Sequence, residues 1–446
     1  MIERVLDAAR ARAAAADAQW HRVERTSIAF EAGRLKACGI SEAAGVNLRI
    51  VQHGRVGIAG TTAEDVDDLV ARALASAELG EALDIAFPAA SPLPLVATHA
   101  ARAAAAPLDR LTAFGHELVE RVSRDGCQVN VSIEREVAET RIVNTTGVDA
   151  TYPATGVAVS VDLTRFAGDD VLLVYDFYAG VDLPEATDLD ALVHTIEDRF
   201  ALALRVVRSP EGSLPVVFTP SGQSAILLPL EQALSGKTVL QGVSPLAGKV
   251  GAQLFDERFA LTDDPLLAGR AGSRPVDDEG MPSRVVPLVE RGVVQQFVYD
   301  LETAARAKTA STGHGSRGTF GKPHIGYSNL VVGPPPGAPD PRAGVGQAAV
   351  RRLGGGLIDG IADGLIVNDL IGVGQGNVIG GAFSHPVALA FRVQRGEITG
   401  RVKDAAVAGN VYELLQRIGG FGHDGRWMGS RWAASLLLEG VSVARR

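Results

Sequence analysis

The chain has 446 residues, a formal net charge of −9, 46% hydrophobic but only 5% aromatic side chains, and two cysteines. That length exceeds a single core and calls for two domains or three, while an acidic balance without a basic block excludes nucleic acid and anionic membranes as partners. Two cysteines, Cys38 and Cys127, are too few for a disulfide framework or a thiolate zinc site.

Met1 to Trp20 sets Glu3, Arg4, Asp7, Arg10 and Arg12 among alanines, which predicts a helix and not the apolar core of a signal peptide. Apolar runs such as 224–230 and 434–438 fall far short of the roughly 20 residues that span a bilayer, so a cytoplasmic location is expected. From Thr26 to Thr61 apolar and polar residues alternate, with breaks at Gly33, Gly45 and His53-Gly54, which predicts a four-strand meander. Thr62 and Asp65 stand at a capping-box-like spacing before Val66, Leu69, Val70, Ala73 and Leu74, one helical stripe able to cover that meander.

A Pro/Ala-rich connector (88–107) and a helix from Leu108 to about Ser123 come next. Strands are then expected over 129–137, 141–143, 157–163 and 172–178, and a helix over 189–207 through Leu192, Ile196, Phe200 and Leu204. Beyond Pro210 a strand (215–219) precedes an apolar helix (223–234). The remainder is dense in glycine, with short strands over 284–290, 293–299, 387–393 and 436–443 and a surface loop at 333–337. The expected class is α+β: an N-terminal two-layer α+β domain with an antiparallel sheet (1–210), then a glycine-rich, β-rich C-terminal domain (211–446).

His116-Glu117 invites comparison with zinc helices that carry two histidines one turn apart, but position 120 is Glu120, which leaves an exposed helix face. Asp277, Asp278 and Glu279 gather three carboxylates before Gly280, suited either to a structural turn or subunit contact, or to cation binding and acid–base work. Ser311, Thr312, His314 and Arg317 share a glycine-rich loop that either crosses between elements or contacts a peptide backbone or carboxylate. The run Gly372, Gly374, Gly376, Gly380 and Gly381 lacks the spacing of a phosphate-binding loop and reads as tight turns.

Several of these pieces resemble, in the same order, the TldD/PmbA family of peptidases. The match rests on 244–251 (SPLAGKVG), on 277–280 followed by 288–293 (LVERGV), on 311–315 (STGHG), on 408–410 (AGN) and on 436–441 (LLLEGV). The resemblance implies that a catalytic relative carries a His-Glu-x-x-x-His zinc helix shortly before the first of these elements, with a cysteine near the C-terminus as a further ligand. Counting back from Ser244 places that motif on Leu227, Leu228, Pro229, Leu230, Glu231 and Gln232, and residues 425–439 hold no cysteine. Leu227 has no lone pair, Leu228 cannot act as a base, and the amide of Gln232 is a poor zinc ligand. Positions 227 and 232 are five apart, about 140° on a regular helix.

The implied role is a zinc-less PmbA/TldE-like subunit with no metal or cofactor of its own. It would dimerise with a TldD-like zinc subunit around a shared chamber where peptides are cut, and residues 277–279, 311, 312, 314 and 317 would contact substrate or partner. The alternatives are a homodimeric peptide- or small-molecule-binding module and a metal-independent hydrolase built on Asp277, Asp278 and Glu279.

Overall fold

The computed structural model describes residues 1–333 and 353–445; most of the expected 333–337 loop lies outside the described residues. Six antiparallel strands form the N-terminal sheet: β1 (Ala15–Glu31), β2 (Arg34–Gln52), β3 (Arg55–Thr61), β4 (Cys127–Asn144), β5 (Asp149–Ala167) and β6 (Asp170–Gly180), in the order β3-β2-β1-β4-β5-β6. Alternation makes the sheet two-faced. On β5, for example, Val157, Val159, Val161 and Leu163 are buried while residues between them are not.

Helices α1 (Ile2–Arg10) and α2 (Val66–Leu79) cover one end of the sheet, burying Val5, Leu6, Leu69, Val70 and Ala73 against Val46, Leu48 and Ile50. After the short α3 (Ala101–Ala104), α4 (Leu108–Val122) and α5 (Ala186–Ala203) lay Leu111, Leu118, Leu192 and Ile196 on β4 and β5. The same core takes in Val217, Ile366 and Phe391 of the C-terminal sheet.

Several expected boundaries move. The first helix ends at Arg10, and Ala15 already pairs with Val51. The meander has three strands, not four, because Gly45 is not a turn. It lies within β2, where a Cβ at Gly45 or at Gly60 of β3 would run into Thr319. The true turns are Ala32-Gly33 and His53-Gly54, all four residues having positive φ. The helix cap is Asp65, whose carboxylate accepts the Asp68 amide at 2.9 Å, and not Thr62. Residues 129–137 and 141–143 are one strand, continuous through β4.

The C-terminal part is built on a mixed sheet that runs, in order, through 363–370, 212–218, 436–445, 405–410, 382–394, 397–402 and 206–207. A smaller sheet contains 260–263, 286–290 and 330–333, and the expected strand over 293–299 shortens to Val293–Val294. Between the two sheets lies α6 (Ser224–Ala233), whose Ile226, Leu227, Leu230 and Ala233 join Phe218, Phe259, Leu288 and Val407 in one core. Among the described residues, no helix is long and apolar enough to cross a membrane.

Candidate functional site

The strand 212–218 feeds α6 through a turn clamped on both sides. The Thr219 backbone amide donates to the Val367 carbonyl at 3.0 Å, and the buried Gln223 side-chain Nε2 donates to the Ala434 carbonyl at 2.5 Å. This fixes the rotation of α6. Leu227, 3% exposed, points into the core, whereas Leu228 and Pro229 turn toward a cleft of about 380 Å³.

The opposite wall of the cleft is the 371–375 turn, and Phe383, Ser384 and His385 close it. Gly372 and Gly374 have φ of 76° and 94°, which only glycine adopts without strain. The His385 ring stacks on Phe383, with ring centres 6.0 Å apart, and burial lowers its pKa below the usual histidine value. Gln232 is half-buried; its neighbour Glu231 pairs with Arg431 at 2.7 Å. Burial raises the Glu231 pKa, with Arg431 pulling the other way.

Zinc needs imidazole, thiolate or carboxylate donors. Leu227, Leu228 and Gln232 supply none of these, and both cysteines lie on the N-terminal sheet. The residues at this position do not fit the metal that the family resemblance implies for catalytic chains. Among the described residues, no group of three or more His, Cys, Asp and Glu side chains is placed to hold an ion.

The remaining candidate residues do come together, though not as an exposed loop. Ser311, Thr312, His314 and Arg317 are all buried, as are Asp277 and Glu279, while Asp278 is half-buried. Asp277 folds its own turn: its carboxylate accepts the Glu279, Met281 and Gly315 amides at 2.8–3.0 Å. Asp278 accepts the Arg317 amide at 3.0 Å. Glu279 accepts the Leu301 amide at 2.7 Å and receives Arg49 Nη1 at 2.5 Å.

Arg49 reaches across from β2 and also donates two hydrogen bonds, 2.9 and 2.8 Å, to Asp17 on β1. Arg317 stands 3.1 Å from the same Asp17 carboxylate. Two arginines and two carboxylates from both halves of the chain thus meet in a buried interface. Burial pushes Glu279 up to about 7 although Arg49 pulls it down. Burial opposes ionisation of Asp17 too, but Arg317 and Arg49 overcome it and hold its pKa below the ordinary value. For Arg49, burial is outweighed by Asp17 and Glu279, and the guanidinium stays firmly charged.

His314 joins this interface to α6. Its Nε2 lies 2.9 Å from Asp263, and its Nδ1 and the Thr312 hydroxyl are within hydrogen-bond distance of each other at 2.8 Å. Its ring meets Tyr327 edge-on, and the Tyr327 hydroxyl donates to the Glu231 carbonyl at 2.6 Å. The histidine of the earlier comparison, His116, packs edge-on against Phe30 and takes no part. The sequence reading missed Asp17, Arg49, Asp263 and Tyr327. The available signal was Arg49 itself, a charge between Leu48 and Ile50 in the buried part of β2.

Two packed sheets, a buried helix between them and a glycine-rich cleft beside it define a mixed α+β scaffold. Residues 211–445 match the PmbA/TldA metallopeptidase C-terminal domain and residues 16–77 match PmbA/TldA metallopeptidase domain 1. The chain belongs to the PmbA/TldD metallopeptidase family. It is similar to a metalloprotease of Methanothermobacter thermautotrophicus, with 26% identity over 90% of this chain and 86% of that protein. It is also similar to a metalloprotease TldD homologue of Haemophilus influenzae, 29% identical over 48% of this chain and 42% of that one. Its fold is that of the crystal structure of TldE from Thermococcus kodakarensis, with a TM-score of 0.86, 24% identity and 99% of each chain covered.

Proposed function

We propose that this chain is the zinc-less, PmbA/TldE-like subunit of a heteromeric TldD/TldE-type metalloprotease in the cytoplasm, and that the assembled pair processes or degrades small peptides. One observation carries the reading. The helix segment to which the family resemblance assigns the zinc motif presents Leu227 to the core and Leu228 and Pro229 to the cleft, and these apolar side chains offer a metal no ligand. In this role the chain supplies cleft wall and subunit contacts, and a TldD-like partner supplies the zinc that activates water.

A metal-independent hydrolase finds little support, since Asp277 is committed to three backbone amides and Glu279 to Arg49 and Leu301. The test is metal analysis of the purified chain together with peptide cleavage, measured alone and after mixing with a TldD-like subunit. The expected result is no stoichiometric zinc, no cleavage alone and cleavage by the mixture. One tightly held zinc per chain, or cleavage by the chain alone, overturns the proposal.

A further inference from the structure

The two sides of the long strand Ala382–Gln394 are unequally covered. On one side it pairs with Glu397–Arg401 and then, from Pro386 back to Ala382, with Ala406–Asn410. On the other side the strand 363–370 reaches only to Val387, followed by one bond from the Ile371 amide to the Pro386 carbonyl at 2.9 Å. Pro386 has no amide hydrogen with which to return that bond, so the ladder stops there. The Ile371 backbone hydrogen-bonds the His385 ring instead.

Beyond Pro386 this side is an open edge. The backbone groups of alternate residues point to opposite sides of a strand. The Pro386 carbonyl points to the open side, whereas the Gly381 carbonyl, which accepts the Val411 amide at 2.9 Å, points to the covered side. The amides and carbonyls of Ala382 and Ser384 are therefore directed to the open side, where no described residue forms a ladder with them. That side is the cleft: residues 382–386 line it, across from Leu228 and Pro229 of α6. Pro229 leaves a further acceptor on that wall, since it has no amide to donate to the Ala225 carbonyl four residues earlier.

Among the described residues, no Asp, Glu, Lys or Arg lines the cleft. A charged group placed there would lose water without gaining a counter-charge. From this arrangement we infer that residues 382–386 form a strand-addition subsite, which holds an uncharged, extended peptide segment with apolar side chains. The peptide residue opposite Ser384 exchanges two backbone hydrogen bonds with it. The residues on either side of that one turn their side chains to the face of Phe383 and His385, towards Leu228 and Pro229. The inference rests on the proposed function for the source of the peptide. Binding is nevertheless measured on this chain alone, so it can fail while the zinc-less reading stands, and the reverse.

The test is calorimetric titration of the purified full chain with acetyl-Ala-Leu-Ala-Leu-Ala-amide, which carries no charge. Two comparison peptides have aspartate in place of both leucines, or a methyl group on the nitrogen of the central alanine. The leucine peptide is expected to bind saturably. The aspartate peptide is expected to bind at least about tenfold more weakly, for want of a counter-charge. The N-methyl peptide is expected to lose about tenfold as well, since it has no donor for the Ser384 carbonyl. Leu228→Lys, with its circular dichroism spectrum matching the wild type, should reverse the preference between the leucine and aspartate peptides. Absence of saturable binding to the wild type overturns the inference. So does an aspartate or N-methyl peptide that binds as tightly as the leucine peptide, or a folded Leu228→Lys chain with the wild-type preference. Should that variant not fold, the three peptides on the wild type still decide the question.

Discussion

Replacing Arg49 by Met tests the buried interface most sharply. The side chains of Arg49, Asp17 and Glu279 are 2%, 0% and 0% exposed, so solvent cannot screen what the substitution leaves behind. Methionine fills much of the same volume and can keep contact with the Phe87 ring, over which the guanidinium sits at 5.1 Å. Packing loss is therefore small and the charge effect dominates. Removing one partner of a buried pair costs about 3–5 kcal/mol, because the other charge is stranded. Here the penalty falls on Glu279, left with the Leu301 amide alone, while Asp17 keeps Arg317 at 3.1 Å.

Urea unfolding at a pH well above 7, where Glu279 is ionised beside Arg49, followed by circular dichroism, should show Arg49→Met less stable by about 3–5 kcal/mol. The double variant Arg49→Met, Glu279→Gln should recover most of that loss, since it removes the stranded carboxylate and leaves Asp17 paired with Arg317 at 3.1 Å. An Arg49→Met chain within about 1 kcal/mol of the wild type would refute the reasoning, as it would mean that the cluster is hydrated or its members unpaired.

Two more outcomes follow from the same geometry. Burial raises Glu279 in the folded chain to about 7, from an unfolded value of 4.5. The folded state therefore binds the proton more tightly, and this group's contribution is complete below 4.5 and is lost as pH rises through about 7. Denaturation midpoints of Glu279→Gln should lack that decline; a variant with the wild-type pH slope over this window would contradict the assignment. Asp17, whose pKa is lowered, acts in the opposite sense and at lower pH, as pH falls below its ordinary value of 3.8. On α6, Leu227→Ala should cost about 2–5 kcal/mol in thermal or denaturant unfolding, whereas Leu228→Ala, on the wall of the cleft, should cost less than about 1 kcal/mol. Equal losses at the two positions would show that the helix is rotated from its described setting.

Local pattern made much of this chain legible. Period-two alternation marked the strands of the N-terminal sheet, and the stripe from Val66 to Leu74 marked α2. The ordered segments from 244 to 441 pointed to the family that the domain matches bear out. These features depend on residues near one another in sequence. Glycine was harder to read: Gly33 and Gly54 are turns, but Gly45 is the same residue type used for close approach by Thr319, far away along the chain.

Burial was the other hidden quantity. Ser311, Thr312, His314 and Arg317 read as a glycine-rich loop, and Asp277 to Glu279 as a turn, with nothing in either to show that most of these side chains are buried. Asp17 and Arg49 meet them from the other sheet, with Arg49 and Glu279 230 positions apart. Composition and periodicity therefore determined which segments could be strand, helix or turn. Only the packing of the two sheets decided which charges became neighbours, because removal from water makes an arginine and a carboxylate depend on partners that sequence distance does not reveal.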